Sequence, residues 1–203
     1  GQVLHCPYTA DKARIVVQEM IDGISLELVE KRLVTDQLVL TVGYDIENLT
    51  RPEIRKVYKG PVTTDRYGRR VPKHAHGTWN LPRATSSSSE LLEAMAALYD
   101  KIVNPALLIR RMSLSACHVV NEKMAKEREQ KETFEQLDLF TDYAKKEAKE
   151  KEEQKKRERE RRMQEALLTI KKKYGKNAVL RGMNFEEGAT AKERNGQIGG
   201  HQA

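Results

Sequence analysis

The stretch QLVLTVGY, residues Gln37–Tyr44, decides the fold of this chain. Large apolar side chains alternate along it with smaller or more polar ones: Leu38, Leu40 and Val42 against Val39, Thr41 and Gly43. Because successive side chains of a strand point to opposite faces, this period of two predicts a β-strand with one face in the core and the other in solvent.

Two elements precede this strand. Residues 2–6 suit a short strand that Pro7 ends, and Thr9 can cap the helix that follows. The apolar residues of that helix recur at helical spacing: Ala13, Val16, Val17, Met20, Ile21, Ile24 and Leu28. Gly23 lies inside the helix and lowers its stability.

Three elements follow the strand. Residues 77–85 alternate in the same way, and Pro82 indicates that this second strand bulges or lies at an edge. Ser87 and Glu90 form a capping box at the start of another helix, and a final strand runs from about residue 107 to residue 119.

The order β-α-β-β-α-β predicts an α+β fold of the split βαβ type, with a four-stranded sheet and two helices on one face. We expect this domain to occupy residues 1–121 and, because the chain opens with Gly1 inside a strand pattern, to be truncated at its start. The polar stretch 45–73 interrupts the pattern, and within it residues 62–71 predict a hairpin.

The rest of the chain is strongly charged. We expect a linker over residues 122–142, a charged helix over 143–175 and a Gly-rich polar tail over 176–203. Such compositions bury too little apolar surface to offset the entropy of ordering, so a flexible tail is expected around the helix.

One peptide of the linker stands out, because Leu137, Leu139 and Phe140 lie among charged residues. An exposed Leu-x-Leu-Phe there is typical of a docking peptide that folds onto a partner. The alternative is that the peptide packs back on its own domain.

The composition limits the function classes. The chain has 203 residues and a net charge of +7, which favours a polyanionic partner, although the basic run Lys145–Lys173 is equally consistent with a solvated helix face. Cys6 and Cys117 form no disulfide framework, and no apolar run is long enough to span a membrane. A cytoplasmic location is therefore expected.

The last strand is the best candidate for a nucleic-acid surface. Period two places Arg111, Ser113 and Ser115 on the open face of the sheet, opposite the helices. Thr41 and Gly43 on one neighbouring strand and Thr78 and Asn80 on the other extend this face, and Lys73 and Arg83 stand at the ends. These side chains suit phosphate contacts that read no sequence. An ordinary solvated sheet face fits the same pattern.

Other chemistries have weaker support. A single-stranded RNA surface would present aromatic side chains for stacking, and the predicted open face has no Phe or Tyr at such positions. His74 and His76 have no second ligand pair at a standard zinc spacing, and no catalytic motif is recognisable. We expect no metal site and no catalysis by this chain alone.

Several blocks nevertheless resemble one family. Residues Thr35–Asp45, Lys73–Thr78, Ile109–Arg111 and 181–201 are similar to the C-terminal part of Y-family translesion DNA polymerases, of the UmuC/ImpB/MucB type found in Gram-positive bacteria. In that family the β-α-β-β-α-β unit is the little-finger domain, which holds primer-template duplex DNA through backbone contacts.

The resemblance implies DNA contacts at positions on two strands. They fall on Arg110, Arg111, Ser113 and Ser115 of the last strand and on His76, Thr78 and Asn80 before the second helix. This chain has a serine at position 115, where some members of the family have an arginine. Together with Thr41, Lys73 and Arg83, these residues form the predicted DNA-binding set.

The peptide Gln136–Phe140 is similar to the motif that binds the bacterial sliding clamp. Gln136 would bind a polar edge of the clamp pocket, Leu139 and Phe140 its apolar part, and Leu137 would add a smaller contact. The palm, fingers and thumb of the family are not in this sequence, so magnesium is expected in the palm domain and no cofactor in this chain. A split βαβ RNA-binding module and a protein-interaction scaffold are the alternatives.

Overall fold

The structure, a computed structural model, describes residues 1–135, 143–198 and 201–202. The fold is α+β, as the sequence predicts. Its elements in chain order are β1 (Gln2–Tyr8), α1 (Ala10–Lys31), β2 (Leu33–Tyr44), α2 (Glu47–Thr50), α3 (Pro52–Val57), β3 (Val62–Thr64), β4 (Arg70–Pro72), β5 (Ala75–Thr85), α4 (Ser88–Ile102), β6 (Ile109–Cys117), β7 (Val120–Asn121), α5 (Glu122–Glu135), α6 (Tyr143–Tyr174), a 3₁₀ turn (Gly182–Phe185), α7 (Ala191–Arg194), β8 (Gln197–Ile198) and β9 (His201–Gln202).

The main sheet is antiparallel, with the strand order β1-β6-β2-β5, and α1 and α4 cover one face of it. The inward residues of β2, Leu38, Leu40 and Val42, are completely buried, as their alternation predicts. On β6, Met112 and Leu114 are buried against the helices in the same way. The helix-facing side of the sheet therefore forms the core.

The boundaries of all four main strands differ from the prediction. Pro7 does not end β1, which continues to Tyr8, where the chain pairs with Ile109 beyond a register shift. β5 begins two residues early, at Ala75, which pairs with Val42.

β2 begins at Leu33, earlier than expected, because Leu33 and Val34 pair with Asn121 and Val120 of β7. β6 ends at Cys117 because His118 adopts a left-handed backbone conformation, with φ of 51°, which turns the chain into β7. A hydrophobic pattern carries no signal for such a turn.

The stretch 45–73, which sequence patterns leave without a role, is ordered. Asn48 is fully buried, donates to the carbonyls of Asp45 and Leu108 at 2.8 Å, and accepts from the backbone N–H of Leu108 at 2.7 Å. The predicted hairpin is present as β3 and β4, with Thr63 opposite Val71. Helices α2 and α3 were not predicted, because a buried amide anchors α2 and α3 has no fully buried residue, only the partly buried Ile54 against the core.

The expected linker is also different, because residues Glu122–Glu135 form a helix. The expected charged helix is present as α6, and it packs against the domain through Gln164, which is 2% exposed. Residues 176–196, which we call the strap, lie on α1, where the fully buried Glu19 carboxylate accepts from the backbone N–H groups of Thr190 and Ala191 at 2.8 and 2.9 Å. Polar contacts of this kind produce no periodic pattern of hydrophobic residues, so the sequence does not predict them.

None of the helices in the described part of the chain combines the length and the apolar character needed to cross a bilayer.

Candidate nucleic-acid interface

The outward side chains of β2, β5 and β6 form a polar surface, which we call the open face. Its residues are Gln37, Val39, Thr41, Gly43, His76, Thr78, Asn80, Arg111, Ser113 and Ser115. The strand register aligns them in rows across the sheet: His76–Thr41–Ser113, then Thr78–Val39–Ser115, with Asn80 beside Gln37. The structure therefore brings six predicted residues onto one surface with Arg111.

Hydrogen bonds between neighbouring strands order this surface. The Thr41 hydroxyl and the His76 Nδ1 atom lie 2.9 Å apart, and the Gln37 amide donates to Asn80 Oδ1 at 2.9 Å. Thr78, Ser113 and Ser115 are exposed, without the helix layer that covers the other side of the sheet. The open face is thus accessible and rich in groups that can donate to phosphate oxygens.

The side chain of Arg111 lies over Gly43 of the neighbouring strand β2. A Cβ atom added at Gly43 would be 2.7 Å from Arg111 Cγ and 2.9 Å from its Nε, so the glycine leaves room for the arginine stem. Beside this contact is a depression of about 430 Å³, lined in part by Thr41, His74 and Ser113. Sequence reasoning did not place His74 in the set, although its period-two spacing from His76 is a signal for the same face.

Arg110 lies near this surface but outside the rows. Gly43 pairs with Arg111 and Tyr44 with Ile109, so Arg110 is an extra residue in a bulge of β6. Its guanidinium donates to the His5 carbonyl at 3.0 Å and lies 3.8 Å from the Asp45 carboxylate. Arg110 is therefore at the end of the sheet where β2 stops and β5 begins.

Arg83 is not brought to the open face. Between Asn80 and Thr85 the pairing with β2 shifts, which agrees with the irregularity that Pro82 indicates. Within this shift Arg83 turns toward α4 and pairs with Glu90. Arg83 thus contacts α4 and does not lie in the rows of the open face.

Lys73 is exposed at the base of the β3–β4 hairpin, immediately before β5. Its backbone N–H donates to the Pro61 carbonyl at 2.8 Å, which closes that base. The cations nearest to the open face, Lys73, Arg110 and Arg111, therefore lie at one end of the sheet. The opposite end carries the neutral Asn80 and Ser115.

The described residues include no group of three or more His, Cys, Asp or Glu side chains that could hold a metal ion. His76 lies on the open face, and His74 lines the depression beside Arg111. The chemistry that this surface offers is hydrogen bonding and charge.

The predicted clamp-binding residues Gln136, Leu137, Leu139 and Phe140 lie outside the described residues. The helices on either side of them are described. Arg161 of α6 donates to Glu122 of α5 at 3.1 Å, and Glu129 lines a cavity with Gln154, so α5 and α6 run antiparallel. The C-terminal end of α5 and the N-terminal end of α6 therefore lie away from the N-terminus of α4. The 14 residues of α5 correspond to a distance of about 20 Å.

No protein-family model matches this chain, and a search of curated proteins returns no significant match.

Proposed function

We propose that this chain binds duplex DNA without sequence preference, as the little-finger-like C-terminal part of an error-prone translesion DNA polymerase. The observation that carries the proposal is the open face, where exposed hydroxyl, imidazole and amide groups stand in adjacent rows beside Arg111. Contacts of this type fix a protein on the phosphate backbone and carry no base information.

The absence of Phe, Tyr and Trp from the named open-face positions separates this proposal from an RNA-binding module. Sheets that bind single-stranded RNA stack bases on Phe or Tyr side chains. At the central positions of this sheet stand Thr41, Val39 and Ser113 instead. Backbone binding to a duplex is the mode that these side chains support.

The second part of the proposal is recruitment by the bacterial sliding clamp. It rests on the sequence Gln136–Phe140, in which Leu139 and Phe140 would fill an apolar pocket of the clamp. The peptide lies in the chain between the ends of α5 and α6, which point away from the α4 side of the domain. DNA and clamp would thus engage separate parts of the chain.

A protein-interaction scaffold is a second candidate, and one observation favours it. Met163, Ile170 and Tyr174 form a stripe along α6 and are 52%, 37% and 67% exposed. An apolar stripe on a basic helix suits a protein partner. A scaffold of this kind would bind protein and leave duplex DNA unbound.

Fluorescence anisotropy with a labelled primer-template duplex tests the proposal. We expect binding that weakens steeply with salt and that Arg111→Gln weakens further, while Arg159→Gln on α6 leaves it unchanged. Failure of the unaltered chain to bind duplex DNA at low salt would refute the proposal. In parallel, the Leu139→Ala/Phe140→Ala double variant should lose binding to a purified sliding clamp and keep its DNA affinity.

A further inference from the structure

One of the two strongly basic segments of the chain leads directly into β5 of the open face, and the proposed function does not yet use it. Residues 51–73 contain eight Lys or Arg and two Asp or Glu, a net charge of +6 within a chain of +7. The named open-face residues include one permanent cation, Arg111. Because backbone binding depends on the number of phosphates that are neutralised, one arginine is a weak basis for holding a duplex.

The tip of the β3–β4 hairpin combines an exposed aromatic ring with two arginines. Tyr67 is 68% exposed, and the guanidinium carbons of Arg66 and Arg69 lie 5.2 and 5.1 Å from the centre of its ring. A tyrosine this exposed gains nothing from the core. Its two cationic neighbours give the tip both charge and an apolar surface.

The tip is held rigidly by Asp65. The Asp65 carboxylate accepts from the backbone N–H groups of Tyr67 and Arg69 at 2.8 and 2.9 Å and from Arg69 Nε at 2.9 Å. Gly68 supplies the left-handed conformation that the turn needs, with φ of 78°. The hydrogen bonds from Arg69 lower the pKa of Asp65 below its usual value. These hydrogen bonds stabilise the turn without a contribution from a partner.

Not all of the hairpin cations serve the turn. Arg69 is paired with Asp65, whereas Arg66 and Arg70 are exposed and have no carboxylate partner among the described residues. A rigid loop with two unpaired guanidinium groups beside an exposed ring is suited to an anionic partner that also offers apolar surface. A sugar-phosphate backbone has both properties.

The hairpin and the open face can reach the same polymer. β4 continues into β5 through Lys73 and His74, and His74 lines the depression beside Arg111. Lys73 is six positions after Tyr67 in the chain, so the tip of the hairpin lies at most about 20 Å from the start of β5. Duplex DNA covers that distance in about six base pairs at 3.4 Å each. A small anion could not bridge the two surfaces.

We propose that the β3–β4 hairpin is a second DNA contact, in which Arg66 and Arg70 bind backbone phosphates and Tyr67 packs against a deoxyribose of the duplex held by the open face. The inference rests on the proposed function and adds a partner-contacting element to it. The hairpin supplies the charge that the open face lacks, and the open face fixes the position of the duplex.

The test uses the full chain and a labelled duplex of about 20 base pairs over a series of NaCl concentrations. The Arg66→Gln/Arg70→Gln variant removes two exposed charges from the hairpin. The Lys155→Gln/Arg159→Gln variant is the matched control, because it removes two exposed charges from α6. Tyr67→Ala removes the ring without a change of charge. Circular dichroism of each variant checks that the fold is kept.

We expect the hairpin variant to bind roughly tenfold more weakly at 0.1 M salt and to lower the slope of log affinity against log salt by about 2. Tyr67→Ala should bind about threefold more weakly with an unchanged slope, and the α6 control should match the unaltered chain. A hairpin variant that matches its control overturns this inference but leaves the proposed function standing, provided that Arg111→Gln still weakens binding. A chain that binds no duplex, or that prefers single-stranded RNA, overturns both.

Discussion

The hairpin segment 51–73 and helix α6 carry the same net charge of +6, yet the structure uses them differently. In α6 several cations are paired: Arg161 with Glu122 and Glu165, and Lys172 with Glu30. In the hairpin segment Arg51 and Arg69 are paired with Glu47 and Asp65, whereas Arg66 and Arg70 are exposed and have no carboxylate partner among the described residues. Net charge therefore does not distinguish the two segments, and our proposal favours the hairpin segment because it leads directly into β5 of the open face.

The contacts of α6 explain its different role. Glu160 accepts from the Ser87 hydroxyl at 2.6 Å and from the Ser89 backbone N–H at 2.8 Å, at the N-terminus of α4. A carboxylate is stabilised there by the unpaired N–H groups of the first helical turn. Gln164 donates to Ser86 O and Ser88 Oγ at 3.0 and 2.9 Å. These contacts make α6 a structural part of the domain.

The largest expected effect concerns the strap that follows α6. Glu19→Gln removes a fully buried carboxylate that accepts from Asn184, Thr190 and Ala191. The glutamine NH₂ group would face N–H donors of the strap, and one hydrogen-bond acceptor would be lost. The free energy of unfolding should therefore fall by about 2–3 kcal/mol. Urea unfolding measures this change. Glu27→Gln, at an exposed ion pair on the same helix, should cost less than about 0.5 kcal/mol.

The next effect tests the docking of α6 itself. Gln164→Ala removes two buried hydrogen bonds to the α4 N-terminus, and it should lower the free energy of unfolding by about 1–2 kcal/mol. Gln154→Ala is the control, since Gln154 is exposed and bonds within α6. Duplex affinity should be unchanged in both variants. A loss of DNA binding in Gln164→Ala without a loss of stability would contradict the structural role of α6.

A smaller effect tests the proposed contact between Arg111 of the open face and DNA. Gly43→Ala places a Cβ where the Arg111 stem lies, so the guanidinium must move, and duplex affinity should fall about threefold. Gly23→Ala is the control, because no atom stands within 4 Å of the added Cβ. It should leave affinity unchanged and raise helix stability by about 0.5–1 kcal/mol. Equal affinities for the two variants would show that the position of Arg111 is unimportant.

The smallest effect concerns the hairpin turn. Because hydrogen bonds from Arg69 hold the pKa of Asp65 below its ordinary value, ionised Asp65 stabilises the turn above that value, and the stabilisation is lost as pH falls through the lowered pKa. Duplex affinity should therefore show no Asp65-dependent change between pH 8 and pH 5. Asp65→Asn should reduce affinity about twofold throughout that range. A pH-dependent difference between the two proteins there would contradict this assignment.

Much of the fold could be predicted from the sequence, because period two and helical spacing are direct signals of burial. The inward residues Leu38, Leu40 and Val42 and the cap at Ser87 are confirmed. The docking of α6 and the strap could not be predicted, since it depends on the buried polar residues Glu19 and Gln164. Hydrophobic periodicity contains no information about such partners.

The candidate site was predictable to a similar extent. Alternation places Thr41, Thr78 and Ser113 on one face, and the register confirms their shared surface. Arg83 was misplaced because the pairing shift around Pro82 turns it toward Glu90. The hairpin tip was not recognised as a candidate contact, because the sequence alone does not show that β4 leads into a strand of the open face.

Amide chemical-shift mapping of the chain, titrated with a short DNA duplex, tests the central claim most directly, because it compares the two basic regions in one experiment. We expect the largest shifts at the open-face residues Thr41, His76 and Ser113 and at the hairpin tip 66–70, with α6 residues 151–174 nearly unchanged. Shifts confined to α6, with an unperturbed open face, would contradict the account.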